Sequence, residues 1–212
     1  MRMKASIDTQ SSNVYAHRGV WDATSQQNTL KSFFKSAELG YSIETDMRYH
    51  DQQIVLSHDP SITTETVKFS AILDFDCSFA LNIKNDGLQE FLLENLDWIT
   101  RTNSFAFDGS IPEMWKYRNL HIPHSLRLSE YEQELPWEAP IIWLDSFHDD
   151  WWIGNSRVED FFKNHKTIIV SPEIHGRDPK PAWDRIGHLL ASKRHQISIC
   201  TDNPEDFMNW VK

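Results

Sequence analysis

The feature that most constrains this chain is a repeated alternation. Short runs rich in Val, Ile, Phe and Tyr are separated by polar or helix-patterned stretches through most of the 212 residues. Eight such runs fall at 14–17, 41–47, 79–84, 104–107, 121–125, 141–145, 167–171 and 196–201. A further short run, 54–56, follows Asp51-Gln52 as a hairpin arm. Between them, 28–39 carries Leu30, Phe33, Phe34 and Ala37 at helical spacing, with Gly40 as a stop. The stretch 86–100 carries Leu88, Phe91, Leu92, Leu96 and Ile99 in the same way. Shorter helices are expected at 112–117, 159–164 and 183–192. Strands alternating with helices argue for parallel strands joined by helical crossovers. Eight units predict one α/β domain over 1–212, a compact (β/α)8 TIM barrel. Such a barrel usually takes about 250 residues, so some crossovers here must be short or irregular. A doubly wound open sheet is the competing arrangement.

Composition agrees with a globular domain: 40% hydrophobic and 25% charged. No apolar run approaches the roughly 18 residues of a membrane helix, so no membrane span is expected. Residues 1–13 lack the apolar core of a signal peptide. Two cysteines, Cys77 and Cys200, make no disulfide framework and are expected as buried small residues. A cytoplasmic location follows most simply. The net charge of −10 argues against nucleic acid, whose affinity rests on phosphate neutralisation by Lys and Arg. It leaves room for a small anionic substrate held locally.

The second run carries the first chemical signal. On a strand of period two, Tyr41, Ile43, Thr45 and Met47 share one face, and Ser42, Glu44 and Asp46 the other. The apolar face suits helices; the carboxylates then point into the barrel. Two like charges so close raise each other's pKa unless a cation offsets them, and hard divalent ions prefer such oxygens. The third run repeats the pattern, with Leu81 and Ile83 outward and Asn82 and Lys84 inward. The first run ends in His17-Arg18-Gly19, and Ser57-His58-Asp59-Pro60 closes the hairpin. An acid pair, two histidines, an arginine, a lysine and an amide therefore gather at the C-terminal ends of the first strands, the catalytic face of a barrel.

These residues carry a resemblance. Ala16-His17-Arg18-Gly19, Gln27-Asn28-Thr29, Ser32-Phe33, Ala37, Gly40, Ile43-Glu44-Thr45-Asp46 and Val55-Leu56-Ser57-His58-Asp59 resemble, in order and spacing, the glycerophosphodiester phosphodiesterase family. That family is grouped with the phosphatidylinositol-specific phospholipases C. Thr201-Asp202-Asn203-Pro204 resembles its closing Thr-Asp-x-Pro. The resemblance implies a (β/α)8 barrel that hydrolyses a small phosphodiester with a divalent cation, Mg²⁺ or Ca²⁺. It implies His17 and His58 as the acid/base pair, Arg18 and Lys84 on the phosphate, and Glu44 and Asp46 as metal ligands. Asn82 takes the place of the family's strand-three glutamate, and Gln27 that of the glutamate before Asn-Thr. Both replacements lower the negative charge available to a cation. A barrel that binds phosphoesters without turnover, and a lyase that stops at a cyclic phosphate, are the competing functions.

Elsewhere, Trp151, Trp152, Asp145 and Glu173 follow or end later strands and are candidates to line the substrate. Packing under the loop is the other role for the tryptophans, and loop anchoring the other role for Glu173. Trp143 is expected in the core, Lys166 and Arg177 in solvent. Asp202 is expected to cap the turn into the last helix.

Overall fold

The computed structural model describes residues 13–192 and 196–212. The N-terminal stretch read for a signal peptide lies almost wholly outside the described residues. Ten strands are β1 (Val14–His17), β2 (Ser42–His50), β3 (Gln53–Leu56), β4 (Val67–Lys68), β5 (Phe79–Ile83), β6 (Phe105–Phe107), β7 (Ser125–Leu128), β8 (Ile141–Leu144), β9 (Lys166–Val170) and β10 (Ile197–Thr201). The helices are α1 (Leu30–Glu38), α2 (Gln89–Glu94), α3 (Leu96–Arg101), α4 (Ile111–Asn119), α5 (Ser156–Asn164), α6 (Lys180–Ser192) and α7 (Pro204–Trp210).

Eight parallel strands form the barrel in the order β6-β5-β2-β1-β10-β9-β8-β7. Strand β3 adds antiparallel to the far end of β2, and β4 to β3. The last seam, β7 to β6, closes through an Ala106–His124 bridge and an Ala106 N–H bond of 3.0 Å to the Pro123 carbonyl. Two crossovers are irregular, as the short chain requires. The chain passes from β2 to β5 through β3, β4 and a short 3-10 turn, and from β7 to β8 with no helix at all.

Two elements differ from the sequence pattern. The expected strand 121–125 begins only at Ser125. His121 sits at φ +55° and Pro123 has no N–H to give a neighbour, so pairing starts after the proline. The expected helix 86–100 breaks at Asn95, whose side-chain amide donates to the Phe91 carbonyl at 2.8 Å and competes with the helix backbone. Lys166 is not in solvent either. Its ammonium lies over the Tyr15 and Phe105 rings and donates to the Tyr15 hydroxyl at 3.1 Å. Arg177 pairs with Asp150 and donates to the Ser146 carbonyl at 2.8 Å.

One apolar layer lies between strands and helices, with Ile43, Met47, Leu81, Ile83, Phe33 and Phe79 among its members. The barrel interior is filled by Tyr15, Ala80, Phe105, Phe107, Trp143, Ile168, Val170 and Cys200. Cys200 is fully buried, Cys77 half-buried, and both are free thiols. Trp143 stacks on Phe107 with ring centroids 3.9 Å apart. A filled interior leaves no channel, so polar chemistry is confined to the strand ends. Among the described residues no helix is long and apolar enough to cross a membrane. Trp143→Ala empties the centre of this plug and should cost about 3–5 kcal/mol, read by urea denaturation.

Candidate active site

The turn after β1 is built for close approach. Arg18 stands at φ +59° and Gly19 at φ +82°. A Cβ on Gly19 would lie 2.5 Å from the Ser32 hydroxyl oxygen, so no larger residue fits. Ser32 lies in the first turn of α1, where Thr29 and Ser32 form a capping box, and its hydroxyl also bonds the Arg18 carbonyl. The helix start thus fixes the turn that projects His17 and Arg18.

Parallel register then sets the neighbours. His17 pairs with Glu44 across β1 and β2, Ala16 with Thr201 across β1 and β10, and Asp46 with Asn82 across β2 and β5. His17 Nδ1 lies 2.7 Å from Asp202 Oδ1 and its Nε2 3.8 Å from Glu44 Oε2. A carboxylate only accepts, so Nδ1 carries the proton and Nε2 is the free base of the neutral ring. Burial alone would lower the pKa of His17. The Asp202 bond and the Glu44 charge outweigh it, and the net shift is upward.

Glu44 and Asp46 are both 1% exposed yet shift in opposite directions. Burial, then the charge of Asp46, pushes Glu44 up to about 7, against the opposing pull of His17, Lys84 and Arg18. Burial also works against charge on Asp46, but nearby donors reverse the outcome and hold it below its usual value. Lys84 Nζ lies 3.0 Å from Oδ1, Arg18 Nε 3.1 Å from Oδ2, and the Asn28 amide donates to Oδ2 at 2.8 Å. Asn28 accepts in turn from the Thr45 hydroxyl at 2.7 Å. Gln27 accepts from Arg18 Nη1 at 3.1 Å.

Asn82 faces inward beside Asp46. Its amide Nδ2 reaches Asp108 Oδ2 at 3.4 Å, while Oδ1 is buried with no partner among the described residues. Burial raises Asp108, with Arg127 and then Lys84 opposing. His58 lies apart from this knot. It is half-exposed, hydrogen-bonded to Asp59 at 2.8 Å, and shares with Arg18 and Gln27 a hydroxyl-lined hollow of about 300 Å³.

The later candidates divide. Glu173 accepts from the Asp202 N–H at 3.1 Å and bonds Thr201 and Ser171, which anchors the loop. Asp145 bonds His175 Nε2 at 2.7 Å. Trp151 donates to the Asp145 carbonyl at 3.0 Å, and Trp152 is fully buried against Phe162. Asp202 does not cap the last helix. Asn203 is the residue at that position, makes no side-chain cap, and leaves the Asp202 carboxylate to His17. The signal for this lay in the Thr-Asp pair ending the strand beside β1.

Among the described residues no three His, Cys, Asp or Glu gather as a metal cage. The oxygens that do converge are two carboxylates and the unpartnered Asn82 Oδ1, a donor set that fits a hard divalent cation. Glu44, short of compensating charge, is the open donor of the set. Asp46 already serves Lys84 and Arg18.

A raised His17 pKa stabilises the fold below about pH 6.5 and loses that contribution as pH rises through the folded value. Asp202→Asn should therefore lower the His17 pKa. Its stability deficit against the unaltered chain should be largest near pH 6 and shrink by about pH 8. Histidine NMR titration and urea midpoints across that range check both.

No protein-family model and no curated protein sequence matches the chain. Solved structures do. A protein of Galdieria sulphuraria assigned as a glycerophosphodiester phosphodiesterase superposes with a TM-score of 0.72 at 17% identity, over 94% of this chain and 97% of that one. The glycerophosphodiester phosphodiesterase of Agrobacterium tumefaciens gives 0.66 at 12%, over 94% and 98%. A glycerophosphoryl diester phosphodiesterase of Parabacteroides distasonis gives 0.54 at 12%, over 94% and 86%. At these identities the likeness is one of architecture, and this chain has the (β/α)8 barrel fold of those proteins.

Proposed function

We propose that this protein hydrolyses a small phosphodiester of the glycerophosphodiester type, with His17 and His58 as the proton-transfer pair. The observation that carries the reading is the position of His17. It is held by Asp202 through Nδ1 and turned through Nε2 toward a buried acid pair, beside two cations at one barrel mouth.

Arg18 and Lys84 supply positive charge where the non-bridging phosphate oxygens would lie, and Asp46 keeps both side chains in place. His17 Nε2 takes the proton of the glycerol hydroxyl next to the ester, and that oxygen attacks phosphorus. His58, across the hollow it shares with Arg18, gives a proton to the departing alcohol. A cyclic phosphate remains. Water then opens it with the roles reversed: His58 takes the water proton, and His17 returns one to the glycerol oxygen. Asp202 steadies the imidazolium form of His17 in each direction. A Mg²⁺ or Ca²⁺ held by Glu44, Asp46 and Asn82 would add neutralising charge at the phosphate.

His17→Ala and His58→Ala should each lower turnover of a glycerophosphodiester by roughly 10²- to 10⁴-fold, with unchanged circular dichroism. An active His17→Ala variant refutes the assignment. Phosphorus NMR of the products separates hydrolysis from a lyase that halts at the cyclic phosphate.

Turnover should stop in excess EDTA and return with Mg²⁺ or Ca²⁺. Asn82→Glu should tighten binding of either ion by calorimetry, because ligand charge tunes hard-cation sites. Full activity in EDTA removes the metal from the reading. Weaker binding by the Glu variant removes Asn82 from the ligand set.

A further inference from the structure

A second hollow, separate from the one beside His58, is a cleft of about 640 Å³ at the seam between β6 and β7. Its origin is a mismatch in strand length. Strand β6 is three residues long and ends at Phe107, and the chain turns away at Asp108 with φ +61°. Strand β7 begins where β6 stops pairing, since the bridge to Ala106 is made by His124. Among the described residues, β7 from Ser125 to Leu128 pairs only with β8, and its other edge has no strand partner. The wall of the barrel is therefore open along this edge, and the crossover without a helix covers it only in part.

The cleft is joined to the site described above. Asp108 lines it and reaches Asn82 at 3.4 Å. Arg127 lines it as well and stands 3.4 Å from the other Asp108 oxygen, pinned from behind by Glu132. The body of an alcohol esterified to the phosphate would reach the cleft by passing over this ion pair. The rest of the lining is mixed: Ile111, Leu135 and Pro136, backed by the buried Met114 and Leu126, are apolar, and Tyr131 and Gln133 add uncharged polar groups. Ile111 is half-exposed. Ser125 also lines the cleft, 1% exposed, and its hydroxyl has no partner among the described residues. A buried unpaired hydroxyl beside an empty volume is a group waiting for a polar atom that the protein does not supply. The rim carries Glu130, Glu132 and Glu134 against Arg127 alone.

We propose that this cleft receives the alcohol half of the phosphodiester, and that it selects an alcohol with an extended apolar body and no negative charge. The inference rests on the hydrolase reading and adds to it a substrate class. A volume of 640 Å³ falls in the range that encloses a drug-sized ligand, far more than glycerol fills. The apolar part of the lining rewards each methylene added, up to the length of the cleft. The acidic rim disfavours an anionic alcohol.

The experiment is a homologous series: glycerophosphoryl methyl, butyl and hexyl esters, and a hexyl ester ending in a carboxylate. The value kcat/KM should rise along the alkyl series by up to about fourfold per methylene and fall back for the carboxylate. Leu135→Trp narrows the cleft from the irregular crossover. Ser125→Leu fills it from β7. Both should reduce the hexyl-to-methyl ratio toward one. Leu135→Trp lies outside the sheet, which keeps the test valid if Ser125→Leu fails to fold. Turnover of all the esters with a flat series, or a ratio unchanged in Leu135→Trp, overturns the subsite and leaves the hydrolase reading standing. No turnover of any ester, with or without divalent cation, overturns both.

Discussion

Everything at the barrel mouth depends on the burial of Asp46. A charged carboxylate at 1% exposure is sustainable only if its lost hydration is replaced. Three parts of the chain replace it: Lys84 from the end of β5, Arg18 from the turn after β1, and Asn28 from the loop before α1. Each depends on something further. Arg18 needs the left-handed turn and Gly19, Gly19 needs Ser32 beneath it, and Asn28 needs Thr45. Withdrawing the Asp46 charge would leave two cations facing each other without a counterion. Glu44, two residues earlier on the same strand, has the same burial and no cation as close. One member of the pair is therefore fixed as an anion, while the other is left able to exchange a proton near neutrality.

Much of this arrangement was legible because β2 alternates so cleanly. Ile43 and Met47 had to face the helices, which left Glu44 and Asp46 facing inward, and the same alternation placed Asn82 and Lys84 beside them. What stayed hidden was any partnership set by closure of the barrel. His17 and Asp202 are 185 residues apart and become neighbours only through the β1–β10 register, which local pattern does not encode. The tie from Asn82 to Asp108 depends likewise on register, here of β5 against its neighbour β6, and local pattern does not encode it. The break at Asn95 escaped for a different reason: the apolar spacing of 86–100 runs through it, and one side-chain amide decides against the helix. Lys166 shows the limit of reading charge as surface. At the barrel floor its ammonium finds two ring faces and a phenol hydroxyl in place of water.

The two departures from the sequence pattern of the resembled family form one electrostatic set. Gln27 accepts from Arg18 without drawing on its charge, so the guanidinium remains directed at Asp46. Asn82 stands between Asp46 and Asp108, and a carboxylate there would face two others. With amides at both positions, the charged partners are already taken: Arg18 and Lys84 meet Asp46, and Arg127 meets Asp108 and Glu132. These carboxylates are compensated before any ion enters. On the proposed reading, a divalent cation therefore has Glu44 left to meet its charge, the carboxylate that burial and the neighbouring Asp46 push well above its usual pKa. Cation uptake and loss of the Glu44 proton would then be a single linked event. That linkage ties the occupancy of the site to pH through one residue, and it exists only because Asp46 has already taken the nearest cations for itself.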